Sequence, residues 1–274
     1  MSRVETCCFP WVISDMELRT DRVCLWLFDV ERDQSACGPL LGELHPREQR
    51  RAEAFLQPVD RWAFVLGRGT LRRLLTRCLP PVGPIGALAE GRWGKPAVPV
   101  VPGEPPGLEF NISHSGGRVL LAATWGTAVG VDLEVPRPGV EIEELLRRFF
   151  SKEEFAVWQS LPAELRRTGF YHLWTRKEAV VKAVGRGLSL PLDSFQVTFD
   201  PRGACRVIVA PPETPSAFDW TLCDLTEEVR QRSSAEAPLA QAALALPGRG
   251  FELEWRAAEE LLVPCPGAIT PGQG

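Results

Sequence analysis

Two short stretches of the sequence contain side chains whose types and spacing suit phosphoryl-transfer chemistry. Asp132 and Glu134 lie two positions apart in an apolar run, so a β-strand would place both carboxylates on one face. Glu178 and Lys182 lie four positions apart among helix-forming residues, so a helix would also place them on one face. Three such carboxylates form an oxygen cage for a hard cation, and a lysine one turn away can bind a phosphate.

Each pair also has an ordinary structural interpretation. An alternating Asp-x-Glu is usually the solvated face of a strand, and a Glu/Lys pair at this spacing usually stabilises an exposed helix. Here, however, apolar residues surround both pairs. Two carboxylates about 4 Å apart repel by roughly 4 kcal/mol at an effective dielectric constant of about 20. Because a divalent cation would remove that cost, we expect the acids to form a metal site.

A third candidate segment, residues 111–117, separates two apolar runs. Its small polar residues and two glycines predict a turn that joins two strands. One interpretation is an ordinary turn with a solvated histidine. The functional interpretation is a phosphate site formed by His114, the Ser113 hydroxyl and backbone N–H groups.

Three motifs together resemble those of the Sfp-type 4′-phosphopantetheinyl transferases, in order and in spacing. They are Asn-Ile-Ser-His-Ser at 111–115, Gly-Val-Asp-Leu-Glu at 130–134 and Trp-x-x-Lys-Glu-Ala-x-x-Lys at 174–182. The likeness continues in Gly-Lys-Pro at 94–96 and Phe-Phe-Ser-Lys-Glu-Glu at 149–154. It covers residues 90–200 clearly and residues 40–80 more weakly. No one motif is specific by itself, but the ordered set is.

The resemblance implies both a fold and a reaction. The implied fold is α+β, with two pseudo-related halves, each a small sheet packed against helices, and coenzyme A bound between them. The implied reaction transfers the 4′-phosphopantetheine arm of coenzyme A to a serine of an apo acyl or peptidyl carrier protein and releases 3′,5′-ADP. Mg²⁺ is the implied cofactor, and its implied ligands are Asp132, Glu134 and Glu178.

The same resemblance implies roles for individual side chains. The implied catalytic residues are Glu178, Lys182 and Asp132. Glu178, directly or through a bound water, takes the proton of the acceptor serine, and Lys182 neutralises the developing charge. The implied contacts to coenzyme A phosphates are Lys95, Ser113, His114 and Lys182. Arg51 and Arg61 are candidates for the 3′-phosphate, because Ala63 stands where some relatives have an arginine. Residues 47–77 are rich in arginine, a pattern that is usually only a solvated helix face.

Composition excludes several other classes of protein. A net charge of −4 is unlike the basic surface that nucleic-acid binding requires, and no apolar run is long enough to span a membrane. The eight cysteines contain no Cys-x-x-Cys and no zinc-like spacing with histidine, which favours free thiols in a reducing compartment. We therefore expect a cytoplasmic monomer that binds neither nucleic acid nor membranes.

The elements that must position these residues repeat along the chain. Apolar periodicity predicts a strand at 23–30 followed by helices at 45–55 and 60–78, then a strand at 129–135 followed by helices at 151–160 and 164–184. Residues 195–199 and 205–209 are predicted to pair as strands. Glu48 and Glu154 begin similar stretches, which indicates an internal duplication.

We place the boundary between the halves near residue 128. Residues 1–128 are expected to form an N-terminal half with coenzyme A phosphate contacts, and residues 129–263 a C-terminal half with the metal and catalytic residues. The Pro/Gly-rich residues 264–274 are expected to be a disordered tail.

Three rival functions compete with this interpretation. A serine hydrolase using Ser113 and His114 lacks a Gly-x-Ser-x-Gly elbow, and a nucleotide-dependent kinase or NTPase lacks a phosphate-binding Gly-x-x-x-x-Gly-Lys-Ser/Thr loop. A non-catalytic relative that only binds carrier proteins is the remaining alternative. All three acids and Lys182 are present, which favours an enzyme.

Overall fold

The structure is a computed structural model, and it describes residues 18–79, 89–90, 96–97 and 107–264. Lys95 and most of the predicted tail lie outside these residues.

The first half consists of a sheet with three helices on one side. Its elements are β1 (Arg22–Asp29), α1 (Gln34–Glu43), α2 (Pro46–Glu53), α3 (Pro58–Cys78), β2 (Ala89–Glu90), β3 (Pro96–Ala97), β4 (Leu108–Ser115) and β5 (Arg118–Trp125). β5 lies between β1 and β4 and is antiparallel to both, while β2 and β3 pair separately. The predicted helices are confirmed as α2 and α3; α1 was not predicted, because Gly38, Pro39 and Gly42 hide its helical pattern.

The second half has the same order of elements, with one additional helix between its last two strands. It contains β6 (Gly130–Glu134), α4 (Ile142–Phe149), α5 (Lys152–Ser160), α6 (Ala163–Val184), β7 (Gln196–Val197), β8 (Val207–Val209), β9 (Trp220–Asp224), α7 (Thr226–Arg232) and β10 (Gln241–Pro247). Short 3₁₀ helices lie at Gly187–Ser189, Leu192–Ser194 and Ala217–Asp219. β10 lies between β6 and β9 and is antiparallel to both, as β5 is to β1 and β4.

Local contacts in the two halves correspond as well. His45 and Glu48 form a capping box at the start of α2, and Ser151 and Glu154 form one at the start of α5. Each capping glutamate then pairs with a basic residue of the long helix, Glu48 with Arg72 at 2.7 Å and Glu154 with Lys177 at 2.7 Å. The predicted α+β fold of two related halves is therefore confirmed.

The chain returns to the first sheet after β10. β11 (Glu252–Trp255) pairs in parallel with β1, and α8 (Glu259–Leu262) follows it. The first sheet thus has the order β11-β1-β5-β4 and includes one strand from the end of the chain. The boundary near residue 128 stays a prediction, and the segment that contains β11 crosses it.

The two sheets pack face to face, with helices on their outer sides. Alternate residues of β1 and β6, such as Leu25 and Val131, fill the apolar core between the sheets. The other face of each sheet packs against its own helices in two further cores. This layered arrangement places the edge strand β4 of the first sheet beside the edge strand β6 of the second.

Residues 111–117 differ from the predicted turn. β4 continues through Ser115, and only Gly116 and Gly117, with φ of +56° and +79°, turn the chain into β5. The turn was predicted because polar residues alternate along residues 111–115. In the structure, tertiary contacts keep this segment extended. The prediction of paired strands at 195–199 and 205–209 is confirmed in the shorter strands β7 and β8.

Two global expectations concern the described residues only. No helix among them has both the length and the apolar character needed to cross a membrane. Cys24, Cys37, Cys205 and Cys223 are free thiols, as the sequence predicts.

Candidate active site

A cavity of ≈ 350 Å³ at the junction of the two sheets gathers most of the predicted functional residues. Its lining residues are Ile112, Ser113, His114, Asp132, Glu134, Trp174, Glu178 and Lys182. They come from β4, β6 and α6, so all three sequence motifs meet at one place.

The two strand acids reach this cavity because β6 alternates between two environments. Val131 and Leu133 are fully buried between the sheets, and Asp132 and Glu134 therefore point to the opposite face, toward α6. Gly130 allows a close approach of the strand to the helix, since a Cβ there would lie 2.0 Å from the Ala179 carbonyl oxygen. Asp132 and Glu134 therefore lie on one face of the strand, as predicted.

Lys182 pairs with Asp132 across the two elements. Its Nζ lies 2.6 Å from Asp132 Oδ1 and donates a second hydrogen bond, of 3.0 Å, to Ser113 Oγ. The Asp132 side chain is 4% exposed and that of Lys182 is 26% exposed, so the pair is largely shielded from water. Lys182 thus neutralises the charge of Asp132, whereas the helical spacing in the sequence had linked Lys182 only with Glu178.

The Ser113 hydroxyl is fully engaged within the protein. It donates to Asp132 Oδ1 at 2.9 Å and accepts from the Leu133 N–H and from Lys182 Nζ. A serine hydroxyl has one donor and two acceptor sites, so all three are used. This arrangement fits a residue that orients Asp132 better than the predicted direct phosphate contact.

Burial and mutual repulsion perturb the two outer acids. Burial, and secondarily the charge of Asp132, raises the pKa of Glu178 above its ordinary value. The same two causes raise the pKa of Glu134. A raised pKa means that each site disfavours the ionised carboxylate, and that a nearby positive charge would relieve the cost.

The composition of the cavity fits a hard divalent cation. Asp132 Oδ2 is buried with no hydrogen-bond partner, which is unusual for a carboxylate oxygen and suits a metal ligand. Together with Glu134 and Glu178 it provides oxygen donors, which Mg²⁺ prefers. Within the part of the chain that the structure describes, no three His, Cys, Asp or Glu side chains are yet drawn together in a ligating arrangement. The donor set fits, and the three carboxylates would have to move together to bind one ion.

His114 lies at the mouth of the cavity in a positive environment. Its ring is exposed, but shielding by surrounding protein atoms lowers its pKa, and the charges of Lys182, Arg51 and Arg68 lower it further against an opposing effect of Asp60. Arg51, one of the two candidates for a phosphate contact, therefore acts electrostatically on His114. The guanidinium of the other candidate, Arg61, stacks on Trp62 at 4.8 Å.

Sequence reasoning assigned no site role to three residues near the cavity. Trp174 and Ile112 line it, and Arg68 is close enough to influence His114. Trp174 could have been found, because it lies four positions before Glu178 and so shares its helix face. Arg68 gave no distinguishing signal among the many arginines of α3 and its neighbours.

A buried ion pair holds the helix that carries the catalytic candidates. Lys177 is fully buried and pairs with Glu154 at 2.7 Å. Its Nζ also donates a hydrogen bond of 2.6 Å to the Phe195 carbonyl oxygen. Burial lowers the pKa of Lys177, while the charge of Glu154 opposes that shift. Because Lys177 is fixed away from the cavity, the next residue, Glu178, projects into it.

Comparisons with known proteins show similarity to one family of enzymes. A family model described as the 4′-phosphopantetheinyl transferase superfamily matches residues 128–240. The 4′-phosphopantetheinyl transferase HetI of Nostoc sp. (strain PCC 7120) is 33% identical over 215 residues, which cover 78% of this chain and 86% of HetI. The 4′-phosphopantetheinyl transferase Sfp of Bacillus subtilis (strain 168) is 31% identical over 172 residues, which cover 63% of this chain and 74% of Sfp.

A solved structure is similar over a smaller part of the fold. It is the crystal structure of a holo-(acyl-carrier-protein) synthase from Bacillus anthracis in complex with CoA (3′,5′-ADP). The similarity covers 44% of this chain and 96% of that protein, with 19% sequence identity and a TM-score of 0.34.

Proposed function

This chain belongs to the 4′-phosphopantetheinyl transferase superfamily, and from that premise we propose that it modifies apo acyl or peptidyl carrier proteins. The donor is coenzyme A, the acceptor is a serine hydroxyl of the carrier, and the second product is 3′,5′-ADP. The observation that supports this most directly is the meeting of Asp132, Glu134, Glu178, Lys182 and His114 at one cavity.

The reaction breaks a phosphoanhydride bond in the pyrophosphate of coenzyme A and forms a phosphoester bond to serine. The serine oxygen forms a bond to the phosphorus next to the pantetheine, and the bond from that phosphorus to the bridging oxygen breaks. The bridging oxygen leaves with 3′,5′-ADP and carries the electron pair. Transfer of this kind depends mainly on positioning and on neutralising charge.

Glu178 is the proposed base for the serine proton, directly or through a water molecule. Its carboxyl group lines the cavity, and burial raises its pKa in the metal-free protein, which supports a role in proton transfer. Lys182 neutralises charge on the departing phosphate, and its flexible stem lets it exchange Asp132 for a phosphate oxygen. His114, Arg51, Arg61 and Lys95 are the proposed contacts to the phosphates of coenzyme A; Lys95 lies outside the described residues.

Mg²⁺ is the proposed cofactor, with Asp132, Glu134 and Glu178 as its ligands. When bound, it would supply positive charge to the pyrophosphate of coenzyme A. Asp132 Oδ2, buried and without a hydrogen-bond partner, supports this choice of ligand. Ser113 is proposed to orient Asp132, and to reach a phosphate only if it gives up one of its present contacts.

The decisive experiment is incubation with coenzyme A, Mg²⁺ and a panel of apo carrier proteins. Mass spectrometry should show addition of one phosphopantetheine to at least one carrier. A carrier whose acceptor serine is replaced by alanine should gain no mass, and EDTA should stop the reaction. If no carrier gains mass, the transferase proposal is wrong.

The alternative is a non-catalytic relative that binds carrier proteins. It would form a complex with a carrier in size-exclusion chromatography and leave the carrier mass unchanged. The intact set of three acids and Lys182 makes the enzyme the better supported function.

We further propose that the protein is a cytoplasmic monomer that binds neither nucleic acid nor membranes. The free thiols of Cys24, Cys37, Cys205 and Cys223 support a reducing compartment. Light scattering of the purified protein would test the monomeric state.

A further inference from the structure

The side chains of β4 contact the backbone of β6 in a regular series. Asn111, Ser113 and Ser115 alternate along β4 and therefore lie on one face of that strand. Their oxygens accept hydrogen bonds from alternate N–H groups that follow in the same order: Val131 to Asn111 at 2.9 Å, Leu133 to Ser113 at 3.2 Å and Val135 to Ser115 at 3.1 Å.

These hydrogen bonds replace a missing neighbouring strand. β6 is the edge strand of its sheet, so its outward N–H groups have no backbone partner there. A buried N–H group without a hydrogen-bond partner destabilises the fold. Since both series advance by two residues, a shift of β6 by one residue would break all three bonds and turn its acids to the other face.

Ser115 also contacts a carboxylate directly. Its hydroxyl donates to Glu134 Oε2 at 3.0 Å while it accepts from the Val135 N–H, and the residue is 4% exposed. Asn111 is 6% exposed, and its amide oxygen accepts from the backbone of β6. The two residues therefore lie at opposite ends of the series, and one of them touches an acid.

We propose that Asn111 and Ser115 are positioning residues for the reaction. Asn111 fixes the register of β6 against β4, and Ser115 directs the Glu134 carboxylate toward the cavity. The charge of Asp132 acts unfavourably on Glu134, so a hydroxyl that holds Glu134 in place opposes its rotation toward water. This inference rests on the proposed function, because it takes Glu134 as a metal ligand.

The first test compares three variants by their response to Mg²⁺. Ser115→Ala removes the hydroxyl, Ser115→Thr keeps it, and Thr124→Val removes a buried hydroxyl of β5 that donates to the Arg22 carbonyl at 2.7 Å. Mutation of a residue that hydrogen-bonds to a metal ligand commonly lowers metal affinity by about 10–100-fold. We expect Ser115→Ala to raise the Mg²⁺ concentration for half-maximal thermal stabilisation about tenfold, and the other two variants to stay within about twofold of the wild type.

The second test uses metal-free protein and amide hydrogen exchange measured by NMR. Ser115→Ala should speed exchange of the Val135 amide, Asn111→Ala should speed exchange of the Val131 amide, and Ser115→Thr should restore the wild-type rate at Val135. If Ser115→Ala does not fold, Ser115→Cys, with a weaker hydrogen-bonding group of similar size, takes its place.

The two readouts separate this inference from the proposed function. A wild-type protein that Mg²⁺ does not stabilise would contradict the metal role of the acids, whereas the exchange measurement would still test the contacts of β4. The inference is overturned if Ser115→Ala leaves the Mg²⁺ midpoint unchanged, whether or not Val135 exchanges faster. In that case Ser115 would only stabilise the junction of the sheets.

Discussion

At the residue scale, Lys182 explains how a buried aspartate is accommodated at the cavity. Asp132 is 3% exposed, and a buried carboxylate without a partner is strongly destabilising. The ammonium group of Lys182, at 2.6 Å, offsets that cost. In the proposed reaction the same ammonium group also binds the departing phosphate. Lys182 would therefore both stabilise the fold and neutralise charge during transfer.

Replacing Lys182 with methionine should therefore affect both stability and rate. Breaking a buried ion pair costs about 3–5 kcal/mol, and partial exposure of Lys182 reduces this to about 2 kcal/mol. We expect that loss in urea unfolding of metal-free Lys182→Met, and a transfer rate about 100-fold lower. Arg230→Met, which breaks the exposed pair between Arg230 and Glu227, is the control and should change neither. Equal losses in both variants would contradict the buried-pair explanation.

Glu178→Gln should trade activity for stability. Because the folded state raises the pKa of Glu178, it holds this proton more tightly than the unfolded chain does. The contribution of the group to stability therefore falls as pH rises from the ordinary value of 4.5 through the raised pKa. We expect metal-free Glu178→Gln to melt above the wild type at pH 8, with the difference shrinking toward pH 4.5, and to lose transfer activity.

Calorimetry of metal-free protein at several pH values provides the measurement for Glu178. Glu236→Gln, at an exposed loop position, is the matched control and should not change the melting temperature. A Glu178→Gln protein that melts below the wild type at pH 8 would show that this glutamate stabilises the metal-free fold.

At the element scale, the contact of β6 with α6 sets the distances across the cavity. The backbones approach so closely at Gly130 that the site depends on the absence of one side chain. Lys177, anchored by Glu154, fixes the rotation of α6 about its axis, so Glu178 and Lys182 face the strand. The acids and the lysine are thus positioned by two rigid elements and not by a loop.

A methyl group at Gly130 should separate these two elements. In Gly130→Ala the new Cβ would lie 2.0 Å from the Ala179 carbonyl oxygen and 2.4 Å from the Ala183 nitrogen, so the backbone must shift. We expect a lower melting temperature, of the size seen when a core is overpacked by about 1–3 kcal/mol, and loss of transfer activity. Gly107→Ala, where a Cβ would meet nothing within 4 Å, should be neutral in both assays. Wild-type activity in Gly130→Ala would contradict the close approach.

At the scale of the whole molecule, the long helices α3 and α6 occupy equivalent positions in the two halves but contact different parts of the protein. Thr70 in α3 and Thr175 in α6 each donate to the carbonyl four residues earlier. Aligned on these threonines, Arg73 and Arg77 stand in α3 where Glu178 and Lys182 stand in α6. The duplicated architecture therefore presents two equivalent helix faces, of which the second faces the candidate active site.

The first helix face holds the end of the described chain. Arg73 donates to the Leu261 carbonyl at 3.2 Å and pairs with Glu43, and Arg77 donates to the Val263 carbonyl at 2.9 Å. Together with the pairing of β11 with β1, these contacts attach residues 252–263 to the first half. The two halves are linked by this return as well as by the core between the sheets.

Removing that segment should destabilise the whole protein. A chain that ends at residue 251 lacks β11 and α8, and it leaves Arg73, 3% exposed in the full chain, without its carbonyl acceptors. We expect this chain to lose cooperative thermal unfolding, whereas a chain that ends at residue 264 should unfold as the full chain does. Circular dichroism melting of the two chains gives the comparison. Equal melting temperatures would contradict the role assigned to the return segment.

The sequence by itself determined the chemistry of the cavity and much of its local geometry. Strand and helix periodicity are local properties of the backbone, so spacing alone assigns Asp132 with Glu134, and Glu178 with Lys182, to common faces. The capping glutamates Glu48 and Glu154 likewise marked corresponding helices, because capping depends on neighbours along the chain.

Only the tertiary structure decided how these local pieces meet. It paired Lys182 with Asp132, kept residues 111–115 extended as a strand beside β6, and returned β11 to the first sheet. Each of these depends on contacts between residues far apart in sequence, whose packing and hydrogen bonds outweigh the turn-like composition of a short segment. For the same reason the sequence could not separate Arg51, which acts on His114, from Arg61, which stacks on Trp62: both were simply arginines of an exposed helical region until packing placed them.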